Sequence, residues 1–294
     1  MHTDQILDIT ALEGSLPDLA ERYASARPYP HVVLDGVLRP EVLAQAYDEL
    51  AAVPAEDWTN YLHLNERKFA NTKPHTWGPT LQSIADGLNS ERFVRFLADL
   101  TGFEGLQADP SLDGGGLHRC VAGGFLNVHA DFTAHHVEHR WQRRVNLLLY
   151  LNPEWQPEWG GDLELWTSDM ARCEATVAPV GNRVLIFTTT ERSYHGHPEP
   201  LRAPPGVARQ SLALYYFTQE DRIRPRSTDY RARPDDGWAG SAGIYLDKLA
   251  LRAYDIVKRR RQLSDTSASR WLGALNRAAA RARARRSRNG PADP

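Results

Sequence analysis

From Leu117 onward the chain divides into seven stretches of strand length: Leu117–Val121, Phe125–Asp131, Arg143–Leu151, Asp162–Trp166, Cys173–Val177, Arg183–Thr188 and Arg209–Phe217. Polar or Gly/Pro turns separate them, among them Asn152-Pro153, Trp159-Gly160-Gly161 and Pro179-Val180-Gly181-Asn182. Short strands at this spacing point to a barrel or jelly roll. The preceding third has another texture. Pro40–Val53 carries Val42, Leu43, Ala46, Leu50 and Val53 at helical spacing, with Pro40 suited to a first turn. Further helices are predicted over Leu81–Leu88 and from an N-cap at Ser90 through Phe93, Val94, Phe96, Leu97 and Leu100 to Gly102. Pro30–Val37 reads as a short strand after an irregular or helical lead-in over residues 1–28, and Asp113-Gly114-Gly115-Gly116 as a turn. The expected fold class is mainly β with flanking helices packed outside one sheet.

These textures divide the chain into a support region of helices and a strand (1–112), a β core (113–220) and an extension (221–294). Arg222–Asp236 is rich in Arg, Pro and Asp and reads as a linker. Ile244–Leu263 is a plausible helix packing back on the barrel. Ser269–Arg288 is a second helical stretch that becomes very basic, and residues 289–294 are expected to be disordered. The basic tail could bind nucleic acid or another anionic partner, although such ends more often only solubilise. A net charge of −2 over 294 residues gives no global pull toward nucleic acid or membrane. No apolar run approaches the roughly 18 residues of a membrane span, and the N-terminus lacks the pattern of a signal peptide. The two cysteines, Cys120 and Cys173, have no metal-site spacing and read as free thiols in a reducing cytoplasm.

The chemistry centres on Gly124-Phe125-Leu126-Asn127-Val128-His129-Ala130-Asp131. On a strand, residues i and i+2 face the same way, so His129 and Asp131 project together. They supply two of the three ligands of a two-His, one-carboxylate facial triad, which holds Fe(II) and leaves positions open for substrate and dioxygen. A third ligand belongs on a later strand. His195, in a turn with Gly196, is preferred; His197 competes for the position, but Pro198 after it begins the departure from the strand. Gly196 allows close backbone approach there. His135, His136 and His139 read as solvated loop residues. Arg209 and Ser211 open the last strand on a common face, a guanidinium fork with an added hydroxyl donor that would suit the distal carboxylate of a 2-oxo diacid.

Taken in order, the motifs are Gly124-Phe125-Leu126-x-x-His129-Ala130-Asp131-Phe132, Arg144-x-x-Leu147-x-x-Tyr150-Leu151-Asn152, Trp159-Gly160-Gly161-x-Leu163-Glu164-Leu165-Trp166, His195-Gly196-His197-Pro198-x-Pro200-Leu201 and Arg209-x-Ser211-Leu212-x-x-Tyr215-Tyr216. As a set over roughly residues 115–218 the chain resembles the prolyl 4-hydroxylase-like branch of the Fe(II)/2-oxoglutarate-dependent dioxygenases. The resemblance implies a double-stranded β-helix (jelly-roll, cupin-like) core and the use of Fe(II), 2-oxoglutarate and O2. It implies His129, Asp131 and His195 as ligands and Arg209 as the salt-bridge partner of 2-oxoglutarate. It also places Asn146 where relatives often put a polar residue near that co-substrate. Tyr150 could reach the same pocket, though a strand aromatic is more often core. Halogenating relatives replace the carboxylate ligand with a small residue; Asp131 is present here, which favours hydroxylation. The spacing from His195 to Arg209 is longer than in many relatives, with Pro204-Pro205-Gly206 between.

The implied activity is hydroxylation of an unactivated C–H of a small-molecule, sugar-like or peptidyl substrate, with release of succinate and CO2. A cupin-like metal enzyme without 2-oxoglutarate and a non-catalytic binding module with a basic tail are the rivals. Asp57–Pro79, aromatic and polar without a clean period, and Thr133–Gln142 are candidate mouth loops. Asn60, Asn65, Lys68, Asn71, Arg140 and Arg192 are candidate contacts to a polar or anionic substrate.

Overall fold

The computed structural model describes residues 3–238 and 241–245. Three short helices, α1 (Thr3–Ile6), α2 (Ile9–Gly14) and α3 (Leu16–Ser25), lead into strand β1 (His31–Asp35) and helix α4 (Pro40–Ala52). A hairpin of β2 (Thr59–His63) and β3 (Glu66–Asn71) precedes α5 (Pro79–Leu88), α6 (Glu91–Thr101) and the short β4 (Gln107–Ala108). Then come β5 (Gly116–Cys120), β6 (Phe125–Ala130), β7 (Trp141–Tyr150), β8 (Leu163–Trp166), β9 (Cys173–Val177), β10 (Arg183–Thr188), β11 (Tyr194–His197), β12 (Arg209–Gln219) and β13 (Asp229–Tyr230). Every pairing is antiparallel, in the order β1-β10-β7-β12-β5-β3-β6-β11-β8-β9, with β2, β4 and β13 attached at the side. β3 bonds to β5 through its C-terminal half and to β6 through its N-terminal half, joining the two halves of the near-barrel. This is the double-stranded β-helix architecture that the strand pattern and the resemblance predict.

Alternation along β7 shows how one strand serves two environments. Val145, Leu147 and Leu149 point outward into an apolar cluster with Val184 and Ile186 of β10, Leu212, Leu214 and Tyr216 of β12, and the inner faces of the helices. Those faces carry Leu19, Val42, Ala46, Leu50, Leu81, Ile84, Leu88, Phe93, Phe96 and Leu97, all buried. Asn146, Leu148 and Tyr150 point the other way, into the barrel. The helix ends follow their sequence signals: Ser90 Oγ accepts the Phe93 N–H at 3.3 Å, and Gly102 ends α6 in the left-handed region. A hydrogen bond from Tyr216 Oη to the Leu88 carbonyl, 2.8 Å, ties β12 to α5.

Four segments differ from the sequence reading. Asp57–Pro79 is not a loop; it contains the β2–β3 hairpin, whose inward positions are polar because they line a cavity rather than the apolar core. His195 lies within strand β11, bonded to β6 and β8, and not in a turn. Arg222–Asp236 is more than a linker, since β13 within it pairs with β6. His135 is buried at 2% exposure rather than solvated, held by Asp109 at 3.3 Å. The expected helices over Ile244–Leu263 and Ser269–Arg288 and the terminal residues 289–294 lie outside the described residues, apart from Ile244 and Tyr245. No helix among the described residues is long and apolar enough to cross a membrane.

Candidate metal and co-substrate site

Two irregularities in the sheet aim the site. Between β6 and β11 the register runs His195↔His129 and then His197↔Leu126, so β6 holds one extra residue across that interval. The bulge keeps His129 and Leu126 on the barrel side together, which a regular strand could not do. The second lies between β7 and β12, where Val145 pairs with Tyr216 but Arg143 with Phe217. Arg144 is the extra residue. The shift turns Arg143 into the barrel, while Arg144 leaves toward Thr218 and Glu220.

His129 and His195 stand in register with ring centroids 4.6 Å apart. Each ring is tied through Nδ1 to the carbonyl two residues back, His129 to Asn127 at 2.8 Å and His195 to Ser193 at 2.9 Å. A carbonyl only accepts, so Nδ1 carries a proton, and in the neutral form of either ring the lone pair is on Nε2. The two Nε2 atoms face Asp131, at 3.5 Å from Oδ1 for His129 and 3.4 Å from Oδ2 for His195. One ligand atom from each residue falls within 4.8 Å of the others. Burial pushes the His195 imidazole down to about 4, which leaves it neutral near pH 7, the form that ligates a metal. Burial works against the Asp131 carboxylate, but Arg143, His195 and His129 outweigh it and hold it well below the usual carboxylate range. Two imidazole nitrogens and one anionic oxygen on one side of a pocket are a donor set suited to Fe(II).

Arg143, missed in the sequence, supports that carboxylate. Its side chain is fully buried. It donates to Asp131 Oδ2 at 3.1 Å and to Asn146 Oδ1 at 2.7 Å, and its guanidinium lies 3.3 Å from the centroid of the Tyr215 ring. Asn146 Nδ2 donates to the same Asp131 oxygen at 2.7 Å, so the Asn146 amide is engaged on both sides while the residue also lines the cavity.

The three residues open on a cavity of about 170 Å³ that also meets Arg209 and Ser211. Arg209 is buried, donates to the Gly161 carbonyl at 2.7 Å and to Tyr150 Oη at 3.3 Å, and pairs with no carboxylate among the described residues. Gly161 has a positive φ, and a Cβ there would meet Leu201 at 2.5 Å and Arg209 Cδ at 3.1 Å. The Gly160-Gly161 turn is thus what lets Arg209 lie against the barrel end. His197 lies apart from the three-residue cluster, with Nε2 at 3.8 Å from Cys120 Sγ. Burial pushes the Cys120 thiol up to about 11, so it stays protonated.

Two further pieces of wall complete the cavity, and of their residues the sequence reading had named only Lys68. Glu66, Lys68 and His118 line the cavity from β3 and β5, and Thr228 and Tyr230 line it from the segment past the barrel. Tyr230 packs over His129, centroids 5.3 Å apart, and Arg226 and Thr133 exchange two hydrogen bonds that hold this segment across the mouth. Of the six residues expected to contact substrate, Lys68 lines the cavity. Asn65 and Asn71 serve local structure, Asn71 Oδ1 accepting from Lys73 N and Trp77 Nε1, and Arg140 pairs with Asp221 on the surface. Asn60 is exposed, and Arg192 borders a separate surface hollow.

Residues 115–217 match the family model described as the 2OG-Fe(II) oxygenase superfamily. This segment is similar to that superfamily. The fold as a whole is also similar to that of solved structures. A prolyl-4-hydroxylase from Pseudomonas putida is 18% identical, with a TM-score of 0.50, over 69% of this chain and 100% of that one. A prolyl hydroxylase from Trichoplax adhaerens, solved with a hypoxia inducible factor peptide fragment, is 16% identical with a TM-score of 0.54, over 71% and 92%. An oxidoreductase of the 2OG-Fe(II) oxygenase family from Burkholderia pseudomallei is 16% identical with a TM-score of 0.50, over 72% and 96%. No curated protein sequence matches the chain. The description of that superfamily names Fe(II) and 2-oxoglutarate.

Gly196 offers a test of the bulge. A Cβ there would stand 2.8 Å from the Leu126 carbonyl oxygen and 2.9 Å from the Asn127 carbonyl carbon. Those atoms are backbone and cannot swing away. Gly196→Ala is expected to cost about 1–3 kcal/mol and to weaken metal binding by pushing β11 from β6. Thermal unfolding and a cobalt(II) titration of the variant read the two effects; wild-type values for both would show that the close approach is not required.

Proposed function

We propose that the protein is an Fe(II)- and 2-oxoglutarate-dependent dioxygenase that hydroxylates an unactivated C–H of a small-molecule, sugar-like or peptidyl substrate. The observation that carries this reading is the convergence of His129, Asp131 and His195 on a cavity that also holds a buried arginine without a carboxylate partner among the described residues. In this reading His129, Asp131 and His195 hold Fe(II), and Arg209, with Ser211 beside it, receives the distal carboxylate of 2-oxoglutarate. Bound there, Fe(II) with 2-oxoglutarate and O2 supplies the oxidising chemistry, releasing succinate and CO2 and leaving one oxygen atom on the substrate.

The protein's own work is positioning. The carbonyls of Asn127 and Ser193 fix which nitrogen of each imidazole is free. Arg143 and Asn146 hold Asp131 from behind, and the Arg143 charge keeps it ionised. Tyr230 covers one face of His129 and narrows the access of water. Arg209 and Tyr150 set the depth to which a dicarboxylate can slide.

Anaerobic addition of Fe(II) and 2-oxoglutarate to the protein is expected to produce a weak visible charge-transfer band, saturating at one equivalent of each. Absence of the band, with no succinate released in air, would overturn the reading in favour of a binding module.

A further inference from the structure

The cavity has a second charged wall that the ferrous and 2-oxoglutarate sites do not use. Glu66 and Lys68 sit on β3 two residues apart, so both point into the barrel. Lys68 Nζ lies 2.9 Å from Glu66 Oε2, and the other Glu66 oxygen is 2.7 Å from His63 Nε2. Their side chains are 17% and 9% exposed. Burying such a pair costs free energy that its mutual attraction only partly returns, and apolar residues of similar size would hold two strands as well or better. A charged pair on the wall of a reaction cavity is therefore better explained by what it meets than by what it stabilises.

Both partners have capacity left. An ammonium has three N–H donors and a carboxylate about four acceptor positions. The ion pair uses one donor of Lys68, and the two ion pairs use two positions of Glu66. The neighbouring groups separate the two ends. Beside Lys68, His118 is pulled down to about 3 by burial and by the Lys68 charge, so it is neutral and adds a hydrogen-bonding group without adding charge. Beside Glu66, His63 meets the Tyr230 ring edge to face at 6.2 Å, and that aromatic ring also lines the cavity. An anion alone would gain Lys68 but face the Glu66 charge. A cation alone would gain Glu66 and Tyr230 but face Lys68. A molecule with both charges a bond or two apart satisfies each.

We infer that Lys68 and Glu66 form the substrate-recognition subsite and that the substrate is a small zwitterion carrying neighbouring carboxylate and ammonium groups, of the free α-amino acid type. The carboxylate seats on Lys68 and His118, and the ammonium on Glu66 against Tyr230. The inference rests on the dioxygenase reading above and narrows its substrate. The volume of the cavity agrees with it: about 170 Å³ must serve both co-substrate and substrate, which suits a small molecule.

The test is calorimetric titration of the full chain, loaded anaerobically with Fe(II) and 2-oxoglutarate, with each of the twenty free amino acids. Each that binds is compared with its decarboxylated amine, its deaminated acid, and glucose. At least one amino acid should bind about tenfold or more tighter than both of its one-charge analogues, since each lost charge-assisted contact is worth about that factor. Lys68→Met and Glu66→Gln should each weaken it about tenfold, in opposite senses: Lys68→Met should erase the advantage over the amine, Glu66→Gln the advantage over the acid. A folding defect would not produce that crossed pattern. No amino acid binding, equal binding of a one-charge analogue or tighter binding of glucose would overturn the inference. The wild-type charge-transfer band, read in the same samples, separates the two readings: a band without amino-acid binding rejects the zwitterion subsite alone, and a missing band rejects the dioxygenase reading itself.

Discussion

Asp131→Ala is expected to remove ferrous binding and to unfold the protein at a temperature lower by on the order of ten degrees. The first effect follows from losing the anionic member of the proposed ligand set. The second follows from Arg143. Its guanidinium is fully buried, and Asp131 is its ion-pair partner. Taking away one member of a buried pair leaves a charge without compensation, at a cost of about 3–5 kcal/mol. For a domain of this size each kcal/mol shifts the midpoint by about 2–4 °C. Stacking on Tyr215 and the bond to Asn146 offset part of that cost, so the lower half of the range is the better guide. The two effects come apart in a double variant. Asp131→Ala with Arg143→Met removes both charges and should recover most of the lost stability while binding no metal, because neighbouring substitutions of this kind are not additive. Differential scanning calorimetry with an iron-binding titration on the wild type, both single variants and the double variant measures the coupling. A double variant no more stable than Asp131→Ala would show that Arg143 does not depend on Asp131 for its burial.

Much of this arrangement was legible because it depends on a period of two. The strands from Phe125 to Phe217 alternate, and alternation alone sets His129 beside Asp131 and Arg209 beside Ser211. The caps of α6 were equally plain in Ser90 and Gly102. The features that escaped are those in which the local pattern and the tertiary role disagree. The β2–β3 hairpin faces a polar cavity, so Glu66 and Lys68 occupy positions where an apolar residue would have announced a strand. Arg143 could not be found by parity because the bulge at Arg144 reverses the parity of the strand at that point. In Tyr194–His197 the glycine that suggested a turn accommodates the bulged β6 backbone instead. In Arg222–Asp236 the Arg/Pro composition hid a two-residue strand, since Asp229 and Tyr230 are ordered by pairing with Ala130 and His129 rather than by any preference of their own. A signal was present in each case, a break in alternation at Arg143-Arg144 or a lone aromatic at Tyr230, but it acquires meaning only once the partner strand is known.

Arg209→Met is expected to uncouple the co-substrate from the metal. The side chain is buried, its Nε serves the Gly161 carbonyl, and its remaining N–H groups face the cavity end near Tyr150 and Ser211. Two charge-assisted hydrogen bonds to one carboxylate are worth about 1.5–3 kcal/mol each, so 2-oxoglutarate should bind on the order of 10³-fold more weakly. Met keeps the volume and the contact with Tyr150, which limits cavity formation. The ferrous site should survive, since His129, Asp131 and His195 do not touch Arg209. Stability without ligand should hold or rise slightly, because the substitution removes a buried cation that lacks a carboxylate partner among the described residues. The distinguishing result is ligand-linked: 2-oxoglutarate at a hundred times its dissociation constant should stabilise the iron-loaded wild type by about 2.7 kcal/mol, and the same concentration should leave the Arg209→Met midpoint nearly where it was. Arg209→Lys, which keeps the charge but not the fork, should fall between the two. An equal 2-oxoglutarate-dependent shift in wild type and Arg209→Met would mean that the dicarboxylate is anchored elsewhere, and Lys68, the other cation on the cavity wall, would be the residue to replace next.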